Sequence, residues 1–249
     1  MFSAIRSKES LKTLKWYDLL VVTLIMFGYF IVLSTKQYLQ SIGVLAVSVV
    51  TTTSQNTTTD GAAYSSNLTL QVVLLLLALG YLWLRRFDFK QLPMSFKWST
   101  LGWVVVIFTI VGLIGDVVTT LSGSYNYFNP AILPYISFSA VINKFLALSP
   151  LAIIYSLLNG FYEEFFFLGL MPSVSDKYKW SSLVFAVLIR FAFHTYLGLM
   201  WATVIGLVFG IIYYLLYTYK VKNLLPFFLA HALFDMFGTS FIYVIVNWG

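Results

Sequence analysis

The chain has 249 residues, of which 60% are hydrophobic and 10% charged, with a mean hydropathy of +0.87 and a formal charge of +6. No soluble domain of this size needs so much apolar surface, and the absence of cysteine excludes disulfides, thiolate catalysis and cysteine-ligated zinc. The positive charge does not indicate nucleic acid, because the basic residues form short clusters beside apolar runs, where they serve membrane topology and lipid headgroups.

Several runs reach the roughly 20 residues that cross a bilayer. Arg6, Lys8, Lys12 and Lys15 precede an apolar run at 16–33, expected as an uncleaved first span because no small-residue cleavage site follows it. The piece at 42–50 is too short to cross and is expected to lie at the interface or to re-enter. The polar run Thr51-Thr-Thr-Ser-Gln-Asn-Thr-Thr-Thr-Asp60 predicts an exposed extracytoplasmic loop reaching to about 67, with sequons at Asn56 and Asn67. Further spans are expected at 68–84, 98–117, 150–171, 181–196, 197–217 and 226–246. The predicted fold is therefore an all-α, polytopic transmembrane helical bundle of seven spans, or eight if 42–50 re-enters. Residues 1–145 read as an N-terminal scaffold and 146–249 as a four-helix functional core.

Lys and Arg sort these spans consistently. The N-terminal segment, the Arg85–Lys97 loop, the Asp176-Lys177-Tyr-Lys179 loop and Lys220-Val-Lys222 are basic, whereas the intervening loops hold Lys36 and Lys144. Alternation then puts the N-terminus in the cytosol and the C-terminus outside, in a cell membrane. The first three spans carry ionisable residues only near their ends, at Asp18 and Asp116.

The last four expected spans differ, since Glu163, Glu164, Arg190, His194, His231 and Asp235 all fall within apolar runs, and the two histidines are the chain's full complement. Each charge at bilayer depth costs about 2.5–3.5 kcal/mol on insertion scales, so such groups normally face a protein interior and mark function. Counted along their helices, Glu163 and Glu164 lie about 10–12 Å from the cytosolic end, His231 about 8 Å, Asp235 about 14 Å and His194 about 18 Å. His231 and Asp235 are four residues apart and share a helix face, whereas the adjacent glutamates point about 100° apart and need different partners. Arg190 is the available intramembrane partner for one of them. Gly206-Leu-Val-Phe-Gly210 predicts a close helix-packing face, and Phe165-Phe-Phe167 an ordinary lipid or core surface.

Glu163-Glu164, then His194, then His231-Ala-Leu-Phe-Asp235 resemble the EExxxR, FxxxH and HxxxN/D series of the CAAX protease and bacteriocin-processing (CPBP, or Abi) family of intramembrane proteases. The resemblance covers about residues 150–240. Two positions depart from it: Leu168 stands where arginine is expected, and Arg190 where phenylalanine is expected. Arg190 is expected to compensate by holding Glu164 from the neighbouring helix. The resemblance implies an intramembrane metalloprotease in which Glu163 is the general base on a water and His194 positions that water, directly or through a metal. His231 and Asp235 would stabilise the oxyanion or complete a metal site, with Glu163, His194 and His231 as ligands if zinc is bound. Metal-bound and metal-free sites both stay open at this point. The implied partners are membrane lipid and a membrane-associated peptide or protein substrate. Two other classes also stay open: a catalytically silent family-like protein of bacteriocin immunity or binding, and a proton-coupled transporter. The transporter would need internal repeats with paired broken helices, and none is visible in the sequence.

Overall fold

The computed structural model describes residues 10–46 and 57–247, and these residues are helical with no strand among them. The helices are α1 Trp16–Ser41, α2 Thr57–Leu84, α3 Trp98–Leu121, α4 Phe138–Leu146, α5 Pro150–Leu170, α6 Lys179–Phe193, α7 Leu199–Val221, α8 Leu225–Phe237 and α9 Phe241–Ile245. Five of them (α1, the Tyr64–Leu84 part of α2, α3, α5 and α7) are long and apolar enough to cross a bilayer. The chain is a multi-pass helical membrane protein.

Three expectations need correction. Helix α2 begins at Thr57, so the polar stretch from there to Asn67 is helix rather than loop, while residues 51–56 lie outside the described residues. No proline lies between Thr57 and the apolar turns, and extending an existing helix is far easier than nucleating one. The expected last span is broken: α8 stops at Phe237, Gly238 takes a left-handed φ of +79°, and α9 restarts at Phe241. Helix α6 has 15 residues, about 22 Å, which is less than the bilayer core of about 30 Å. His194 consequently stands just past its end rather than inside a span. The piece at 42–50 forms no helix over 42–46, and its remainder is undescribed.

Contacts divide the chain into two compact units. The first comprises Met1–Pro93 and Glu164–Leu224, the second Met94–Glu163 and Leu225–Gly249. The boundary runs between the two adjacent glutamates.

In the first unit α1 packs on α6 and on α2, around a buried ring cluster in which Phe27 lies 4.7 Å from Phe166, 5.2 Å from Phe167 and 4.8 Å from Phe193, measured between centroids. The Phe165–Phe167 run is thus core. Asp18 in the first turn of α1 is fully buried and satisfied on both oxygens. It accepts from Tyr81 Oη at 2.7 Å and Arg85 Nε at 2.8 Å, and from the Lys15 backbone N–H at 3.0 Å. The bond to Asp18 holds the Arg85 guanidinium above its usual pKa. Backbone bonds join Leu11 to Arg86, Leu14 to Ser173 and Leu224 to Pro93, so the four basic segments come together in this unit. The GxxxG of α7 is a packing face, since a Cβ on Gly206 would sit 2.8 Å from the Phe191 backbone of α6.

In the second unit α3 packs against α8 and α9, with Phe108 stacked on Phe234 at 4.7 Å. Asp116 of α3 is fully buried and accepts from Ser240 Oγ and, at 3.0 Å, from the Ile242 N–H, which anchors α9 across the helix break. Asp116→Ala strands these donors, each worth about 1–3 kcal/mol when left unsatisfied. Destabilisation by about 2–4 kcal/mol is expected in detergent unfolding titrations, with the loss smaller in Asp116→Asn, which keeps one acceptor.

Candidate functional site

In the second unit the chemistry is built where α5 crosses α8. Gly160 makes the crossing possible: a Cβ there would meet the Phe228 carbonyl oxygen at 2.5 Å and the Ala232 nitrogen at 2.9 Å. A hydrogen at this position lets the two backbones touch, and Phe161 seals one flank edge-on to Phe228 at 5.1 Å. Helical spacing then does the rest. Asn159 and Glu163 share one face of α5, and His231 and Asp235 share one face of α8, each pair four residues apart.

The four side chains converge. Asn159 Nδ2 donates to Glu163 Oε1 at 3.2 Å and to Asp235 Oδ2 at 2.9 Å. His231 Nε2 lies 3.8 Å from Glu163 Oε1 and 3.8 Å from Asp235 Oδ1. Both separations exceed a hydrogen bond, which leaves the imidazole and the carboxylates able to grip one water in common. The Glu163 side chain is 6% exposed, that of His231 14% and that of Asp235 24%, so the cluster runs from a buried Glu163 to an exposed Asp235. A carboxylate, an imidazole and a second carboxylate are groups able to take up and give protons.

In the first unit Glu164 is fully buried and bonded by Arg190 of α6, whose Nη2 donates to Oε1 at 2.7 Å and to Oε2 at 2.8 Å. The guanidinium also lies 4.2 Å over the Phe167 ring and 5.8 Å from that of Tyr213. After Glu164 the helix widens into a π-helical turn over Phe165–Leu170, which shifts the i+4 position away from where a regular helix would hold it. Leu168 there is buried, and it lines one small cavity together with Arg190, Gly206 and Gly210. The positive charge that balances Glu164 is thus carried by the neighbouring helix.

His194 in the same unit caps the C-terminus of α6, buried between the rings of Phe193 and Tyr196 at 4.2 and 6.3 Å. Its Nδ1 lies 2.8 Å from the Arg190 carbonyl. A carbonyl only accepts, so Nδ1 carries the hydrogen and Nε2 is the acceptor nitrogen of the neutral ring.

Among the described residues, no group of three or more His, Asp or Glu side chains is arranged to hold a metal ion. The Asn159 amide N–H donor stands between Glu163 and Asp235. Imidazole and carboxylate are zinc-binding types, but in this arrangement the Asn159 amide, not a cation, links the two carboxylates. The residue that reading the sequence missed is Asn159. Its signal was a polar side chain one turn before Glu163 in an apolar helix, beside the glycine of the crossing.

Residues 145–237 match the family model described as type II CAAX prenyl endopeptidase Rce1-like, in agreement with the motif resemblance. No curated protein and no solved structure matches the chain.

Proposed function

We propose, from the match of residues 145–237 to the CAAX prenyl endopeptidase family, that this chain is an intramembrane endopeptidase whose working base is Glu163. The observation that carries the reading is the Asn159–Glu163–His231–Asp235 cluster, with Asn159 and Glu163 buried, within an apolar helix pair. Glu163 takes a proton from a water held against His231, and the resulting hydroxide forms a C–O bond with the substrate's peptide carbonyl. The His231 Nε2–H donates to the developing oxyanion, a role an ionised Asp235 has no hydrogen for. Asp235 instead stabilises the charge His231 gathers. On collapse the C–N bond breaks, and the proton on Glu163 passes to the leaving amine. His194 enters the proposal on the family pattern alone, with Nε2 as its working nitrogen. The Glu164–Arg190 pair has a structural part.

The substrate class is a membrane-associated peptide or protein, and the family's name makes a prenylated C-terminus the first chemistry to try. With the positive-inside rule, the basic end of the first unit is cytosolic, as is the N-terminus. The test compares membrane and secreted peptides from cells expressing the native chain with those from cells expressing Glu163→Gln at matched abundance. Peptide termini that require the native chain support proteolysis and name a substrate. Identical profiles, with any phenotype kept in the variant, overturn it in favour of a binding or immunity protein. With the Asn159 amide linking the two carboxylates, cleavage by the purified protein is expected to survive dialysis against a chelator. Loss of cleavage that added zinc restores would make the centre a metal site.

A further inference from the structure

We infer that Asn159 is a positioning residue of the Glu163 centre, its amide holding the two carboxylates in a single arrangement; this rests on the endopeptidase reading above. The geometry is specific. One buried nitrogen donates to two carboxylates from different helices, to Glu163 on its own helix and to Asp235 on α8. Two ionised carboxylates held by one nitrogen repel each other in a setting of low dielectric, so the pair needs a reason to stay together. An amide suits that task better than any other side chain. Its NH2 group offers one hydrogen to each partner and adds no charge, whereas a hydroxyl has a single hydrogen and an ammonium would neutralise the base.

The residue beside it completes the device. Gly160 removes the side chain that would hold α8 away, and without that close approach Asn159 on α5 could not reach Asp235. Asn159 therefore fixes where the Glu163 carboxylate stands relative to His231. It sets the geometry of the base without touching substrate. Loss of the amide frees the carboxylates to move apart, and a displacement of about 1 Å in a reacting group costs about 100-fold.

The test uses a synthetic peptide copying the cleavage site defined by the terminus profiling, with full-length protein in detergent. Asn159→Leu removes the donors at similar volume, and Asn159→Ala removes them by truncation without adding charge. In both, kcat is expected to fall about 10–100-fold while KM stays within about twofold, with thermal unfolding near that of the native chain. If Asn159→Leu does not fold, the smaller Asn159→Ala carries the test. Native kcat in a folded variant lacking the donors overturns the inference, and so does a raised KM at unchanged kcat, which would make Asn159 a substrate-binding group. Glu163→Gln separates the two failures. If the native chain cleaves, Glu163→Gln does not, and a folded Asn159→Leu or Asn159→Ala cleaves at the native rate, the positioning role falls and the endopeptidase reading stands. If the native chain itself produces no termini, both fall together.

Discussion

Arg190→Met is expected to destabilise the protein by about 3–5 kcal/mol, the penalty of leaving one member of a buried ion pair without its partner. Glu164 is fully buried and Arg190 is 4% exposed, so neither charge has water to fall back on. The methionine replaces most of the arginine stem, so the loss comes mainly from the missing charge and little from missing volume. The readout is an unfolding titration in mixed micelles. Two companion variants separate pairing from packing. Glu164→Leu combined with Arg190→Met is expected to recover most of the loss, because replacing both charges by apolar groups is often neutral or stabilising. Leu168→Arg combined with Arg190→Phe is expected to recover part of it, since residues 168 and 190 line the same cavity. A double variant no better than Arg190→Met would show that the arginine acts through its contacts with Phe167 and Tyr213 instead.

Glu163→Gln is expected to lower cleavage by about 10²–10⁴-fold, the usual contribution of a positioned general base, while unfolding stays near native. The substitution is isosteric, and the glutamine carbonyl oxygen still accepts the hydrogen bond from Asn159. Glu164→Gln is expected to do the opposite first. It strands the buried Arg190 charge and lowers stability before any effect on chemistry can be read. Purified variants assayed for rate and for unfolding test the contrast directly. A folded Glu163→Gln that still cleaves at the native rate would remove Glu163 from the role of base. The two neighbouring glutamates are thus expected to fail in different ways, which follows from their belonging to different compact units.

The sequence by itself determined the class of the protein and the identity of its unusual groups. Apolar runs of bilayer length and a sorted pattern of Lys and Arg are enough to predict a multi-pass helical protein, because a hydrocarbon environment permits little else. Six ionisable residues in otherwise apolar runs stand out for the same reason. The i, i+4 relation of His231 and Asp235 was equally legible, since helical periodicity is local.

What the sequence could not decide depended on contacts between distant segments. The break at Gly238 looked like continuous apolar helix, and the anchoring of the short piece after it by Asp116 and Ser240 involves residues 124 positions apart. The π-helical turn after Glu164 altered the phase of α5, so regular spacing could not tell what residue 168 faces. That Arg190 bonds both oxygens of Glu164 follows from how closely α6, seated on α7 through Gly206, is held within its unit. Asn159 drew no attention as a lone amide. It became significant when Gly160 brought α8 close enough for one NH2 group to bridge two carboxylates. Composition and periodicity report the environment each residue must satisfy, but which partner satisfies it is decided by the crossing of helices, and that crossing is written in small residues whose meaning is steric.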